Sequence, residues 1–146
     1  MKYEINKIND PALVKNFILN AGASIETFRY FNKRNYDVIN NHIVTYLITD
    51  EKSSFVGYGH LEKEDDKIWL GIAIAESHTG LKLGVLMLEK LILTAKDLKI
   101  DEIYLTVDKS NFIAVNLYSK YNFKVIDEKN GGDILIMKFL TSGYIY

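Results

Sequence analysis

Apolar and polar positions change rhythm several times along the chain, and each change marks an element. Tyr3, Ile5 and Ile8 roughly alternate with polar residues, which predicts a first strand. Asp10-Pro11 reads as a helix cap with proline at the first helical position, so a helix is expected up to about Ala21-Gly22. From Ser24 to Asn41 the aromatic and basic residues Phe28, Arg29, Tyr30, Phe31, Lys33, Arg34 and Tyr36 follow neither a strand nor a helix period. The pattern then turns to β. Strands are predicted over Ile43 to Thr49, Phe55 to Leu61 and Ile68 to Ala75, separated by short polar turns, which makes an antiparallel meander. Leu83, Met87, Leu91 and Ala95, with Leu88 and Ile92 beside them, recur at helical spacing up to Leu98. Ile103, Leu105 and Val107 share one face of a strand ending at Asp108. Asn111 then caps a helix whose stripe is Ala114, Leu117, Tyr118 and Tyr121. Phe123 to Ile126 and Ile134 to Phe139 close the chain as two strands around a turn with Gly131-Gly132.

This order predicts an α/β fold in which a mixed sheet carries helices on both faces. A right-handed crossover through the Leu83 to Leu98 helix makes its flanking strands parallel neighbours. In such sheets ligands enter where strands part at their carboxyl ends. A length of 146 residues, with no internal repeat and no linker, reads as a single domain over 1–146. Eighteen Lys plus Arg balance nineteen Asp plus Glu, so no general basic field serves nucleic acid, and any anion site has to be local. No cysteine means no disulfide and no thiol nucleophile. The N-terminus lacks a signal-peptide core and no window approaches a membrane span, so a soluble, cytoplasmic protein without membrane partners is expected. No metal site is expected.

The segment Ile72 to Val85 carries the first chemistry. An apolar strand passes through a loop containing Gly80 directly into the helix that holds Gly84. The first N–H groups of a helix lack intrahelical partners and stand at the positive end of its dipole. A glycine-bearing entry therefore suits phosphate oxygens, although two glycines in such a loop also serve simply as a turn. This element resembles the coenzyme A loop of the GNAT acetyltransferase superfamily, Gln/Arg-x-x-Gly-x-Gly/Ala. Thr79 stands in place of Gln or Arg, Lys82 in place of the middle Gly, and Gly84 at the last position. The run Asn111 to Phe123 is similar to the same family's Asn-x-x-Ala-x-x-Leu-Tyr-x-x-x-Gly-Phe signature, with Asn122 for Gly.

The resemblance implies a GNAT-like, mostly antiparallel sheet of six to seven strands with a splay between two central parallel strands. It also implies an N-acetyltransferase using acetyl-coenzyme A by direct attack of an amine on the thioester. Cofactor contacts would fall to Ile72, Ile74, Thr79, Gly80, Lys82, Gly84, Val85, Asn111 and Tyr118. Tyr118 sits at the position whose hydroxyl meets the leaving sulfur. The strand positions where relatives place a base are Ile68 and Leu70 here, which leaves a water or His60; His60 reads as a structural residue somewhat more than as a base. Acceptor recognition in this superfamily comes from the segment after the first helix, where Phe28, Arg29, Tyr30 and Arg34 would line a pocket for a small-molecule amine. A faint likeness of several short runs to surface-sugar enzymes points to an amino sugar or its nucleotide conjugate. The alternative is a protein that keeps the fold and binds a ligand or partner without turnover. A monomer or a homodimer is expected.

Overall fold

The computed structural model describes residues 2–143. Strand β1 (Glu4–Lys7) leads to helix α1 (Pro11–Leu19), whose N-terminus is closed by the Asp10 side chain accepting from the Ala12 N–H at 3.0 Å. The helix ends two residues before the expected Ala21-Gly22 boundary. Residues 22–41 form three short 3-10 turns, Gly22–Glu26, Tyr30–Asn32 and Tyr36–Asn41, and no α-helix. The meander follows as β2 (His42–Thr49), β3 (Phe55–Glu64) and β4 (Lys67–Ile74). Strand β3 runs three residues beyond the expected Leu61, because its pairing with β4 continues to Glu64 opposite Lys67. Then come α2 (Leu83–Asp97), β5 (Glu102–Asp108), α3 (Phe112–Lys120), β6 (Lys124–Lys129) and β7 (Ile134–Leu140). Asn111 caps α3 as expected, accepting from the Ala114 N–H, and Asn122 takes the left-handed conformation (φ 71°) that a helix C-terminus favours.

The seven strands make one sheet in the order β1-β2-β3-β4-β5-β7-β6, and only β4 and β5 are parallel. Those two are paired at Trp69 and Tyr104 alone; further along they separate toward Ile74 and Asp108, which opens the expected splay. On one face α2 and α3 bury Leu83, Met87, Leu88, Leu91 and Ile92 against Leu70, Ile103, Leu105 and Val107. Gly59 admits Met87 close to the sheet, where a Cβ would collide with its sulfur. On the other face α1 and residues 22–41 enclose Val14, Phe17, Tyr58 and Ala73. Among the described residues no helix is long and apolar enough to cross a membrane.

Candidate active site

A cavity of about 500 Å3 runs along the splay and touches both faces of the sheet. Leu70, Ile72 and Val107 line it from the side of α2 and α3, together with Asn111 and Tyr118. Thr27, Phe28, Arg29, Tyr30 and Arg34 line it from the opposite side, with His60, Glu62, Trp69, Gly71 and Asp108. Two reactants entering from opposite faces can therefore meet between β4 and β5.

On the α2 side, the chain leaves β4 through a short turn and Gly80, whose φ of 80° belongs to the left-handed region that favours glycine. Lys82 also has a positive φ (64°) and is the residue on which α2 starts, with no side-chain cap. The backbone there thus keeps a glycine-like conformation although the residue is lysine. The N–H groups of Leu83, Gly84 and Val85 make no hydrogen bond to any described residue, so three donors at the positive helix end are free. A Cβ on Gly84 would stand 3.3 Å from Leu117 Cδ2, a contact a small shift of that flexible side chain relieves. This fits a position that takes glycine or alanine. Tyr118 is 7% exposed, and its hydroxyl makes no hydrogen bond to any described residue. Among the described residues no buried side-chain oxygen or nitrogen is sealed without a partner, so this hydroxyl reaches the cavity that Tyr118 lines. Burial holds its proton well above the ordinary tyrosine range. Free main-chain donors, a close backbone approach and a hydroxyl that stays protonated at the splay fit a diphosphate-bearing thioester such as acetyl-coenzyme A.

The α1 side is a network of aromatic and polar groups. Tyr30 donates to Glu62 Oε1 at 2.8 Å, and its oxygen lies 2.7 Å from His42 Nε2. Because the one hydroxyl proton goes to Glu62, His42 Nε2–H is the donor to Tyr30 and Nδ1 accepts from Thr45. Burial together with the nearby Arg34 charge lowers the His42 pKa to about 4, which keeps the ring neutral and leaves Nδ1 as the acceptor. His60, 2% exposed, packs against His42 with ring centres 4.4 Å apart and planes tilted by 35°, and its Nδ1 lies 2.6 Å from the Tyr58 hydroxyl. A Cβ at Gly71 would come 2.5 Å from His60 Cε1, so glycine is what lets the ring rest on β4. Ligand-type atoms of His42, His60 and Glu62 fall within 4.8 Å of one another. Both His42 nitrogens and one of His60 are already in hydrogen bonds, so the cluster as built is a hydrogen-bond network.

The two arginines of this side are partly engaged. Arg29 forms a two-pronged pair with Asp108 at 2.6 and 3.0 Å, joining residues 22–41 to the end of β5. The Arg34 guanidinium lies 4.2 Å from the Tyr30 ring centre and donates to the Tyr30 carbonyl.

Of the residues singled out from the sequence, Phe28, Arg29, Tyr30, Arg34, His60, Ile72, Asn111 and Tyr118 line this one cavity. Ile74 lies at the end of β4, and Thr79, Gly80, Lys82, Gly84 and Val85 form the loop and first turn of α2, outside its wall. The Thr79 hydroxyl donates to the Glu76 carbonyl, a turn-closing bond. Glu62, Trp69 and Gly71 line the cavity without having been singled out as site residues. The signal for Glu62 was its spacing of two from His60 on a strand, which places both on one face.

The acetyltransferase (GNAT) family model matches residues 12–123. No curated protein matches the sequence. Among solved structures, the chain is similar to PaiA N-acetyltransferase from Thermoplasma acidophilum in complex with coenzyme A, at 22% identity and a TM-score of 0.78, over 96% of this chain and 99% of that one. It is similar to the ribosomal-protein-S18-alanine N-acetyltransferase from Escherichia coli, at 19% and 0.71, over 96% and 94% of the two chains. It is also similar to mutant forms of the spermidine/spermine N-acetyltransferase SpeG from Vibrio cholerae, at 20% and 0.71, over 98% and 97%.

Proposed function

Because the chain belongs to the acetyltransferase (GNAT) family, we propose that it moves the acetyl group of acetyl-coenzyme A onto an amine of a small molecule by direct attack. The cofactor occupies the α2 and α3 side of the splay and the acceptor the side of residues 22–41. Acetyl-coenzyme A, when bound, supplies an activated acetyl thioester. The free N–H groups of Leu83, Gly84 and Val85 take its diphosphate, with Gly80 and Gly84 keeping the backbone open to it. The β4 edge around Ile72 and Ile74, left unpaired beyond Trp69, is available to hold the pantetheine amides. Tyr118, kept protonated by burial, gives its proton to the departing sulfur as the new nitrogen–carbon bond replaces the carbon–sulfur bond. The amine loses a proton to water in the cavity, beside the Glu62 carboxylate, and that solvent path restores the Tyr118 hydroxyl.

The observation that carries this reading is the Tyr118 hydroxyl, without a partner among the described residues, at an open splay, with the free N–H groups of α2 on the neighbouring helix, where Gly84 lies against Leu117 of α3. Nothing in the cavity speaks for an amino sugar in particular: Arg29 is spent on Asp108, and Arg34 rests on Tyr30. Proteins of this fold act, by their names, on acceptors as different as a ribosomal protein alanine and spermidine, and the fold does not choose among them.

Thermal unfolding with acetyl-coenzyme A, free coenzyme A and no ligand tests the site, since a ligand of the folded state raises its stability. A raised melting temperature with both is expected; none at concentrations far above micromolar overturns the reading. Thiol release across an amine panel then tests turnover. Tyr118→Phe should slow it by about 100- to 10,000-fold with little change in cofactor affinity, the range of a lost general acid. A variant as fast as the parent removes Tyr118 from the mechanism.

A further inference from the structure

The Tyr58 hydroxyl belongs to a side chain with 0% exposure, and among the described residues its one hydrogen-bond partner is His60 Nδ1. A buried hydroxyl without an acceptor loses the full value of its proton, about 1–3 kcal/mol. Tyr58 is therefore the donor of this bond and His60 Nδ1 the acceptor. The ring proton then sits on Nε2. Nε2 makes no hydrogen bond to any described residue, yet no buried side-chain nitrogen there is sealed without a partner, so Nε2 opens to the cavity that His60 lines. The ring is held on the other sides by Tyr30 and His42, each with centres 4.4 Å away, and by the missing Cβ of Gly71.

We infer that His60, pinned by Tyr58 as its Nε2–H tautomer, is a fixed hydrogen-bond donor in the acceptor half of the cavity, reads an oxygen carried by the acceptor near its amine, and is not the base. The inference rests on the acetyltransferase reading for the identity of the second reactant, and on geometry alone for the tautomer. To accept a proton at Nε2, His60 would have to move its own to Nδ1, which strips the Tyr58 hydroxyl of its only acceptor among the described residues. Burial, with the His42 and Arg34 neighbours, also keeps the ring neutral, so the cavity meets an uncharged N–H donor near neutral pH. A neutral donor at this place favours amines with a neighbouring hydroxyl, carbonyl or carboxylate oxygen over plain alkylamines.

The tautomer is read without any substrate, from the nitrogen-15 shifts and long-range proton couplings of the three histidines in labelled protein, assigned with His42→Gln and His78→Gln. A protonated Nε2 and bare Nδ1 at His60 are expected, with the two forms mixing in Tyr58→Phe. Protonation at Nδ1 in the parent overturns the inference. Kinetics supply the second arm. With an amino alcohol as acceptor, His60→Gln, which keeps an N–H but no basic nitrogen, should stay within about threefold of the parent. His60→Leu should raise KM about tenfold with a smaller change in kcat, the upper range for one neutral hydrogen bond. Equal losses of kcat in both variants, together with a vanished acid limb of the pH profile, would make His60 the base and sink the proposal. If coenzyme A binds and no amine releases thiol in the parent, the transferase reading fails while the tautomer measurement still decides the donor.

Discussion

His42 has no exposed side-chain surface, and its position between Tyr30, Thr45 and the His60 ring decides its proton affinity. Its pKa falls from 6.5 to about 4, so the unfolded chain takes up this proton first as pH drops. The contribution is whole above about 6.5, shrinks as pH falls toward 4, and changes no further below that. The loss is on the order of 2 kcal/mol, or about 5 °C in melting temperature between pH 7 and 4.5. His42→Gln, followed by calorimetry at both pH values, should show a smaller drop than the parent. A drop of equal size would place the acid sensitivity elsewhere. The sequence gives His42 little weight, because its partners Tyr30 and Glu62 are 12 and 20 positions away and no local period links them. Glu62 was hidden for a related reason. The sequence pattern ends this strand at Leu61, whereas in the fold it continues to Glu64 and its alternation turns Glu62 to the same face as His60.

Helices α2 and α3 were legible because each carries an apolar stripe at helical spacing and Asn111 marks the start of α3, and the crossover rule predicts β4 and β5 as parallel neighbours. Residues 22–41 were not. Their turns are held by tertiary stacking, Phe28 on Tyr58 at 5.4 Å and Phe31 on Tyr58 at 5.5 Å, and such partners leave no period in the segment itself. The entry of α2 is an intermediate case: the motif position was recognisable, and the conformation explains why glycine is usual there. A lysine at φ 64° is strained by about 1 kcal/mol, so Lys82→Gly should raise the melting temperature by about 2–4 °C, and less if the freer unfolded chain offsets part of it. Lys82→Glu keeps the strain and brings a negative charge to the free helix donors, so it should weaken coenzyme A without that gain. Calorimetry on both variants, each with and without coenzyme A, separates backbone from charge. A destabilised Lys82→Gly would mean that the lysine side chain makes a contact stronger than the strain.

At the scale of the molecule, residues 22–41 span the splay and are tied down on both of its banks. On the β4 side the Glu76 N–H donates to the Ala21 carbonyl at 2.8 Å and its carboxylate accepts from the Ala23 N–H. On the β5 side the Arg29 guanidinium grips Asp108. The strap roofs the acceptor half of the cavity, while the cofactor half is walled by α2 and α3. Its two anchors differ in kind. The first joins the main chain of Ala21 and Ala23 to the backbone and carboxylate of Glu76 at the rim of the packed core; the second is an ion pair with Arg29 45% exposed, worth no more than about 1 kcal/mol after solvent screening. Cutting the second therefore loosens one end of the strap without melting the fold. Arg29→Ala should lower the melting temperature by less than about 4 °C. It should speed amide exchange over residues 27–34 and raise KM for the acceptor several-fold more than KM for acetyl-coenzyme A, since only the acceptor half loses its roof. Hydrogen exchange by mass spectrometry and the two KM values check this together. Equal rises in both constants, or exchange that quickens evenly across the sheet, would show that the ion pair supports the whole molecule and is no part of how the acceptor is held.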